Sequence, residues 1–212
     1  MSYLRIIPGL ILALFCQMAV AGAYEDMLEA VNKDDVAVVT QLLKKGLDAN
    51  PTDREGNSLL ILAAKEGSLK TVKTLLAARA QVDAHNAIGE TALMLAALQG
   101  HLEVVRYLLV REAQVNLPGE WTPLIYAAVK GNVNVSRLLL AYGADINGTA
   151  GNNGLTALMM AAREGHLDLV SLLLASGADP NLKSYAGLTA LAAARAANRN
   201  DIAELLAKAG AQ

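Results

Sequence analysis

Two stretches of this chain share one pattern: "GHLEVVRYLLVREAQVN", from Gly100 to Asn116, and "GHLDLVSLLLASGADPN", from Gly165 to Asn181. They agree at nearly every large apolar position although they lie far apart in the chain. Similarity over that length indicates an internal period, so the rest of the chain is aligned on these two segments.

A period emerges from that alignment. A hydroxyl residue precedes each "AL", "PL" or "LL" pair, and the spacings between these residues are 33, 31, 34 and 33. An alanine follows each of them at the fifth position, and a glycine follows at the ninth in all copies but the last, where Asn198 replaces it. The hydroxyl residues are Ser58, Thr91, Thr122, Thr156 and Thr189.

Each repeated residue type has a physical role. A Ser or Thr before an apolar stretch caps a helix N-terminus, and Pro123 after Thr122 occupies the favoured first helical position. Glycine ends that helix because it adopts positive φ readily, and the following "LEVVRYLLV" pattern predicts a second helix with one buried face. A further glycine ends the second helix at Gly46, Gly143, Gly177 and Gly210.

Two copies depart from that rule, because Arg79 and Glu112 stand where the second helix should end in glycine. If both residues adopt the left-handed conformation, each carries a strain of about 1 kcal/mol. The open alternatives are a different turn geometry or a contact between these side chains and a partner.

A helix–turn–helix unit with a connecting hairpin, opened by "TPL" or "TAL" once in each period, resembles the ankyrin repeat. The resemblance implies an all-α solenoid of about six units that covers the chain from Tyr24 to Gln212. We expect an N-terminal capping repeat at 24–53, repeats at 54–86, 87–117, 118–151 and 152–184, and a C-terminal capping repeat at 185–212. These are numbered repeats 1 to 6 below.

The segment before Tyr24, positions 1–23, has a different character. Arg5 precedes an apolar run that ends in small residues, which is the order of a secretory signal peptide. We expect cleavage after Ala23, although "AVA" and "AGA" are overlapping candidate sites. A membrane anchor is the alternative, but Pro8, Gly9 and Gln17 interrupt the run.

Cys16 is the only cysteine, and Phe15 before it argues against lipid attachment, which needs a small residue there. The mature chain would therefore contain no thiol, which suits an oxidising compartment. We expect an exported bacterial protein located in the periplasm or secreted, without a membrane span after signal cleavage.

Composition limits the remaining functions. Hydrophobic residues make up 54% of the chain and aromatic residues only 4%, so Leu, Val and Ala must form the core. The net charge is −2, and the charged residues are spread evenly along the sequence without a Lys/Arg run, so nucleic acid is not an expected partner.

No catalytic signature is present. The sequence lacks the serine-hydrolase, zinc-protease, Cys-x-x-Cys and phosphate-loop patterns, and "NGTAGNNG" (Asn147 to Gly154) is interpreted as a long hairpin tip. His101 and His166 follow the inter-helix glycine and are expected to support that turn. We therefore expect no enzyme activity, no cofactor and no metal site, with an enzyme of unrecognised type as a remote alternative.

The resemblance implies a monomeric protein-binding scaffold whose concave side, formed by hairpins and first helices, contacts another protein of unknown identity. Protection of a periplasmic enzyme, for example in oxidative-stress defence, or an immunity role is an alternative. The hairpin before Thr122 is short and places Trp121, the only tryptophan, at its helix; it could serve as a binding hot spot or simply cover the next hairpin. The predicted protein-binding residues are Arg54, Glu55, Lys65, Glu66, His85, Ile88, Gln99, Glu120, Trp121, Lys130, Asn152, Asn153, Arg163, Glu164 and Tyr185.

Overall fold

A computed structural model describes residues 22–117 and 121–212. Over these residues the chain forms twelve helices in six consecutive pairs. Most of the signal-peptide prediction, including Cys16, lies outside the described residues. The helices are α1 (22–32), α2 (Val36–Lys44), α3 (Leu59–Lys65), α4 (Leu69–Ala77), α5 (Ala92–Gln99), α6 (Leu102–Val110), α7 (Pro123–Lys130), α8 (Val133–Ala141), α9 (Ala157–Glu164), α10 (Leu167–Ala175), α11 (Ala190–Ala196) and α12 (Asn200–Lys208).

The hydroxyl residues that define the period are helix N-caps. In each case the side-chain oxygen accepts a hydrogen bond from the backbone N–H at the third position after it, at 3.2–3.4 Å. All five hydroxyl residues are buried, and Pro123 begins α7 as expected. These caps fix the first helical residue of α3, α5, α7, α9 and α11.

The helices form two layers. The inner helices α3, α5, α7 and α9 each pack on the inner helix of the next repeat, as far as α11, and the outer helices from α2 to α12 stack in the same order. The repeated alanine of each inner helix is fully buried, which allows neighbouring inner helices to approach closely. One continuous core therefore extends from Met27 in α1 to Leu206 in α12.

Hairpins connect the repeats. Isolated antiparallel bridges join Thr52 to Ser58, His85 to Thr91 and Thr149 to Thr156, so that a hairpin tip precedes the inner helix in these repeats. Apart from such bridges, the described residues contain no β-strand. The structure confirms the all-α solenoid of helix–turn–helix units that the resemblance implies.

The ends of the outer helices have the expected backbone geometry. The glycines that end α2, α8, α10 and α12 have φ between 83° and 92°. Arg79 and Glu112, which replace glycine after α4 and α6, also have positive φ, at 66° and 63°. The structure therefore confirms that the backbone of these two residues is left-handed, a conformation that glycine would adopt with less strain.

Candidate protein-binding surface

The predicted binding residues fall into two groups within the described structure. One group lies on the hairpin tips and the other at the C-terminal ends of the inner helices. Glu120 lies outside the described residues. Trp121, Asn153 and Glu164 are half-buried. The remaining predicted residues are exposed: Arg54, Glu55, Lys65, Glu66, His85, Ile88, Gln99, Lys130, Asn152, Arg163 and Tyr185.

Two hairpin tips expose large apolar side chains. Ile88 is 74% exposed and Tyr185 is 72% exposed, more than any other large hydrophobic residue that the structure describes. Their backbones are nevertheless held in place: the Ile88 N–H donates to Asn86 Oδ1 at 3.1 Å, and the Tyr185 N–H donates to Asn153 O at 3.0 Å. The tips therefore present apolar groups to solvent from a fixed backbone.

A chain of hydrogen bonds connects the hairpin before α3 with the hairpin before α5. Asn57 Nδ2 donates to Asp53 Oδ2, Asn86 Nδ2 donates to both Asn57 Oδ1 and Glu90 Oε2, and the Tyr126 hydroxyl donates to Glu90 Oε1. Each of these bonds is 2.9 Å long. The chain links the hairpins before α3 and α5 to helix α7, and so it fixes the relative positions of the tips.

Sequence reasoning did not identify this hydrogen-bonded chain. Asp53 and Asn86 lie five residues before their caps, and Asn57 and Glu90 lie one residue before them, so the period pairs these residues. Tyr126 joins the chain from another position in the repeat, and its spacing of 36 from Glu90 differs from the common period. The bond between Asn86 and Glu90 is local to one hairpin, whereas the bonds from Asn86 to Asn57 and from Tyr126 to Glu90 depend on how adjacent repeats lie against each other.

Trp121 bridges two repeats. Its Nε1–H donates to Asn152 Oδ1 at 3.1 Å, and its ring meets the Tyr126 ring edge-on, with centroids 5.6 Å apart at 66°. This arrangement matches the alternative in which the indole covers the next hairpin. The half-buried ring still has a solvent-facing part, so its role as a hot spot stays a prediction.

The tip of the hairpin before α5 borders two adjoining clefts. His85 and Asp83 line both, and Ile88 lines the second of them. One carboxylate oxygen of Asp83, Oδ1, accepts a 2.9 Å bond from the Gln114 N–H of the next repeat. The clefts thus offer an imidazole and an apolar side chain on a braced hairpin.

The opposite edge of the solenoid, where each inner helix turns into its outer helix, is occupied by interlocking contacts. His101 Nε2 lies 3.0 Å from Lys65 O, and His166 Nε2 lies 3.1 Å from Val129 O. Each ring thus reaches a carbonyl at the end of the preceding inner helix. The expectation that these histidines support the turn is confirmed, and the support extends between repeats.

Asn132 and Arg199 occupy the same position in repeats 4 and 6. Asn132 Nδ2 donates to Ala97 O at 2.8 Å, and Arg199 Nη2 donates to Glu164 O at 3.2 Å. Four side chains of three residue types therefore make one kind of contact. Carbonyls at a helix C-terminus lack intrahelical partners, which explains why a donor is useful there.

These contacts also explain the glycine at the ninth position after each cap. A Cβ atom on Gly67, Gly100, Gly131 or Gly165 would lie only 2.5–2.7 Å from the side chain that the next repeat places over it. No repeat follows repeat 6 in the described structure, and there Asn198 takes the glycine position with φ 57°. Repeat 1 has Asp34 at this position with φ 53°, and there the Thr71 hydroxyl of repeat 2 donates to the Asp34 carboxylate. Glycine is therefore needed where the next repeat places a His, Asn or Arg side chain directly over the turn.

A second set of hydrogen bonds between repeats is formed by the Asn or Asp residue that follows each outer-helix turn. Its side-chain oxygen accepts a backbone N–H from the next repeat at 2.8–3.0 Å, in all five junctions. The sequence alone did not indicate this role. The linking residues are Asn50, Asp83, Asn116, Asn147 and Asn181.

Over residues 22–117 and 121–212, no group of three or more His, Cys, Asp or Glu side chains is arranged to hold a metal ion. Among the same residues, no helix has the length and apolar character that crossing a membrane requires.

Comparison with known proteins identifies the family. The family model for ankyrin repeats matches three times, over residues 27–119, 111–184 and 148–212. The chain therefore belongs to the ankyrin-repeat family, whose members generally mediate protein–protein interaction and are typically non-catalytic. No curated protein matches the chain in a sequence comparison.

Proposed function

We propose that this protein is an exported, non-catalytic scaffold that binds one protein partner through its hairpin tips and the adjoining ends of its inner helices. The observation that carries the proposal is the exposure of Ile88 and Tyr185 on hairpin tips. Folding gains little from an apolar side chain left in water, whereas a partner that covers it gains about 25 cal/mol per Å² of buried apolar surface.

The rigidity of the tips supports the same proposal. Interface residues that are already ordered lose less conformational entropy on binding. The hydrogen bonds from Asp53 to Tyr126 and the Trp121 contact with Asn152 hold the hairpins before α3, α5 and α9 in register with helix α7. The proposed surface is thus preorganised rather than a set of independent loops.

The partner can be tested for and identified by site-specific photo-crosslinking in cells that produce the protein. A photoreactive amino acid at Ile88 or Tyr185 should capture the same partner, which mass spectrometry then identifies. The matched control carries the photoreactive group at Glu204, an exposed position on α12. Equal capture from all three positions, or none from either tip, would contradict the proposed surface.

Variants of Trp121 test whether this residue contributes to partner binding or only to the stability of the fold. We expect Trp121→Ala to weaken partner binding by about 2 kcal/mol if the indole is a hot spot. Trp121→Phe is the control, because it keeps a ring against Tyr126 but loses the bond to Asn152. A variant with wild-type affinity and a lowered unfolding midpoint would assign the indole to the scaffold alone.

Export is a separate part of the proposal, supported by the order of residues before Tyr24. We expect the mature protein to begin at Tyr24, near the start of the helical segment 22–32. Intact-mass measurement of material from the periplasmic fraction checks this. A mass that includes Met1, or a lipid on Cys16, would exclude it.

Protection of a periplasmic enzyme is the more specific version of this function, and an immunity role is related to it. If the captured partner is an enzyme, its activity or lifetime under oxidative stress should fall in cells that lack the scaffold. Catalytic turnover by the purified protein alone would instead favour the enzyme alternative.

A further inference from the structure

A basic surface lies on the side of the molecule that the proposed function does not use. The exposed faces of α4, α6 and α8, with the turns that end α4 and α6, carry more basic than acidic side chains, although the whole chain has 18 basic and 20 acidic residues. Only Glu103 and Glu112 oppose this charge there. The basic outer face consists of Lys70, Lys73, Arg79, Arg106, Arg111 and Arg137.

The repeat period produces this surface. Lys73, Arg106 and Arg137 follow one another at the same spacings that separate the caps of repeats 2, 3 and 4. They therefore occupy equivalent positions on adjacent outer helices, about 8–10 Å apart. Charge that is evenly spread along the sequence is thus concentrated in space.

The basic groups are not neutralised by neighbouring side chains. One ion pair touches the face, between Arg106 Nε and Glu103 Oε1 at 3.7 Å, and both side chains are at least half exposed. Within the described residues no carboxylate pairs with Arg137 or Lys73. The stripe ends after repeat 4, because α10 and α12 expose Asp168, Asp201 and Glu204 instead.

Apolar and aromatic groups lie beside the charges. Lys73 Nζ is 5.4 Å from the Tyr107 ring centroid, and Arg111 lies over the same ring while its Nη2 donates to the Tyr107 hydroxyl at 2.7 Å. Val110 is 60% exposed and Tyr142 is 44% exposed at the ends of α6 and α8. Ordered Arg and Tyr next to exposed apolar groups are a composition favoured at protein interfaces.

We propose that the basic outer face binds a flexible acidic segment of a partner protein, separately from the hairpin surface. The outer helices lie on the convex side of a solenoid, which meets a flat bilayer or a second rigid solenoid only along a narrow contact. A flexible chain can follow that curvature. An extended polyproline-type segment places every third side chain on one side at about 9 Å, which matches the spacing of the three aligned cations.

The proposal is tested with a fluorescein-labelled oligoglutamate peptide titrated into the purified protein at low ionic strength. We expect saturable binding that weakens with added salt and falls about tenfold in Lys73→Glu/Arg106→Glu/Arg137→Glu, since three exposed ion pairs are lost. The control, Lys183→Glu/Arg195→Glu/Lys208→Glu, makes the same change in net charge at exposed positions near the C-terminal end of the solenoid and should bind within about twofold of wild type.

Circular dichroism tests whether both triple variants fold. If Lys73→Glu/Arg106→Glu/Arg137→Glu does not fold, Lys73→Gln/Arg106→Gln/Arg137→Gln replaces it, because it removes the three positive charges without adding negative ones. Equal loss in the two glutamate triples would show that net charge alone attracts the peptide and would overturn the proposal. So would absence of peptide binding, binding only to phosphatidylglycerol vesicles, or salt-sensitive self-association in sedimentation. A failed crosslink from the hairpin tips would leave this result unaffected.

Discussion

The two edges of the solenoid use their side chains in opposite ways. At the turn edge, His101, Asn132, His166 and Arg199 point into the preceding repeat and are held by its carbonyl groups. At the hairpin edge, Ile88 and Tyr185 are mostly exposed to solvent, although one edge of the Tyr185 ring lies against Gly154 of the preceding hairpin. The comparison indicates that repeated residue types in this chain build the stack, whereas side chains without a counterpart in other repeats are available for a partner.

The largest expected effect is at the turn edge. Gly131 has φ 68°, and a Cβ there would lie 2.5 Å from His166 Nδ1. We expect Gly131→Ala to destabilise the fold by about 3 kcal/mol, the sum of backbone strain and the displacement of a packed ring. Urea unfolding followed by circular dichroism measures the loss.

Two other glycines serve as matched controls for that substitution. Gly177→Ala has positive φ but an open surrounding, so it should cost only about 1 kcal/mol. Gly165→Ala should fall between the two, because the group over Gly165 is the flexible end of Arg199. Equal costs at all three positions would show that backbone strain alone explains the glycines.

A smaller gain in stability is expected from the core of repeat 4. Ser136 is fully buried, and its hydroxyl has no hydrogen-bond partner, the only such side chain among the described residues. Val72, Val105 and Val170 occupy the equivalent buried positions. We expect Ser136→Val to stabilise the protein by about 1–2 kcal/mol, because it removes an unsatisfied polar group and adds apolar contact.

Ser171 provides the control for this substitution. It is exposed, and its hydroxyl donates to Leu167 O at 2.9 Å, so Ser171→Val should give no gain. If Ser136→Val lowers the unfolding midpoint, repeat 4 does not have the space for valine that its neighbours have.

The smallest gains are expected at Arg79 and Glu112, where glycine is missing from the left-handed turn that ends an outer helix. Arg79→Gly and Glu112→Gly should each raise the free energy of unfolding by up to about 1 kcal/mol, since each side chain is held at positive φ. Urea midpoints of the single and double variants check this. Unchanged midpoints would mean that the greater flexibility of glycine in the unfolded chain cancels the relief of strain.

Features that recur with the period could be predicted from the sequence. The caps at Ser58 and Thr91, the turn role of His101 and the hairpin connections all follow from residue types that repeat at fixed offsets. The family and the all-α solenoid follow from the same offsets. Repetition supplies within one sequence several independent examples of the same local structure.

Features that depend on a contact between unlike positions could not be predicted. The bond from Tyr126 to Glu90 and the contact of Trp121 with Asn152 join residues at different offsets in neighbouring repeats. For these contacts the missing information is how one repeat lies against the next. The basic outer face is different, because Lys73, Arg106 and Arg137 recur with the period. It was missed because charge was counted along the chain rather than compared between equivalent positions of the repeats.

The most direct test of the contrast between the edges compares two double variants by urea unfolding. Arg54→Ser/Ile88→Ser at the hairpin tips should change the free energy of unfolding by no more than about 0.5 kcal/mol, because both side chains are exposed. His101→Ala/His166→Ala at the turn edge should cost about 2 kcal/mol or more, since each removes a hydrogen bond and its packing. Equal losses in the two variants would contradict the assignment of the turn edge to stability and the hairpin edge to binding.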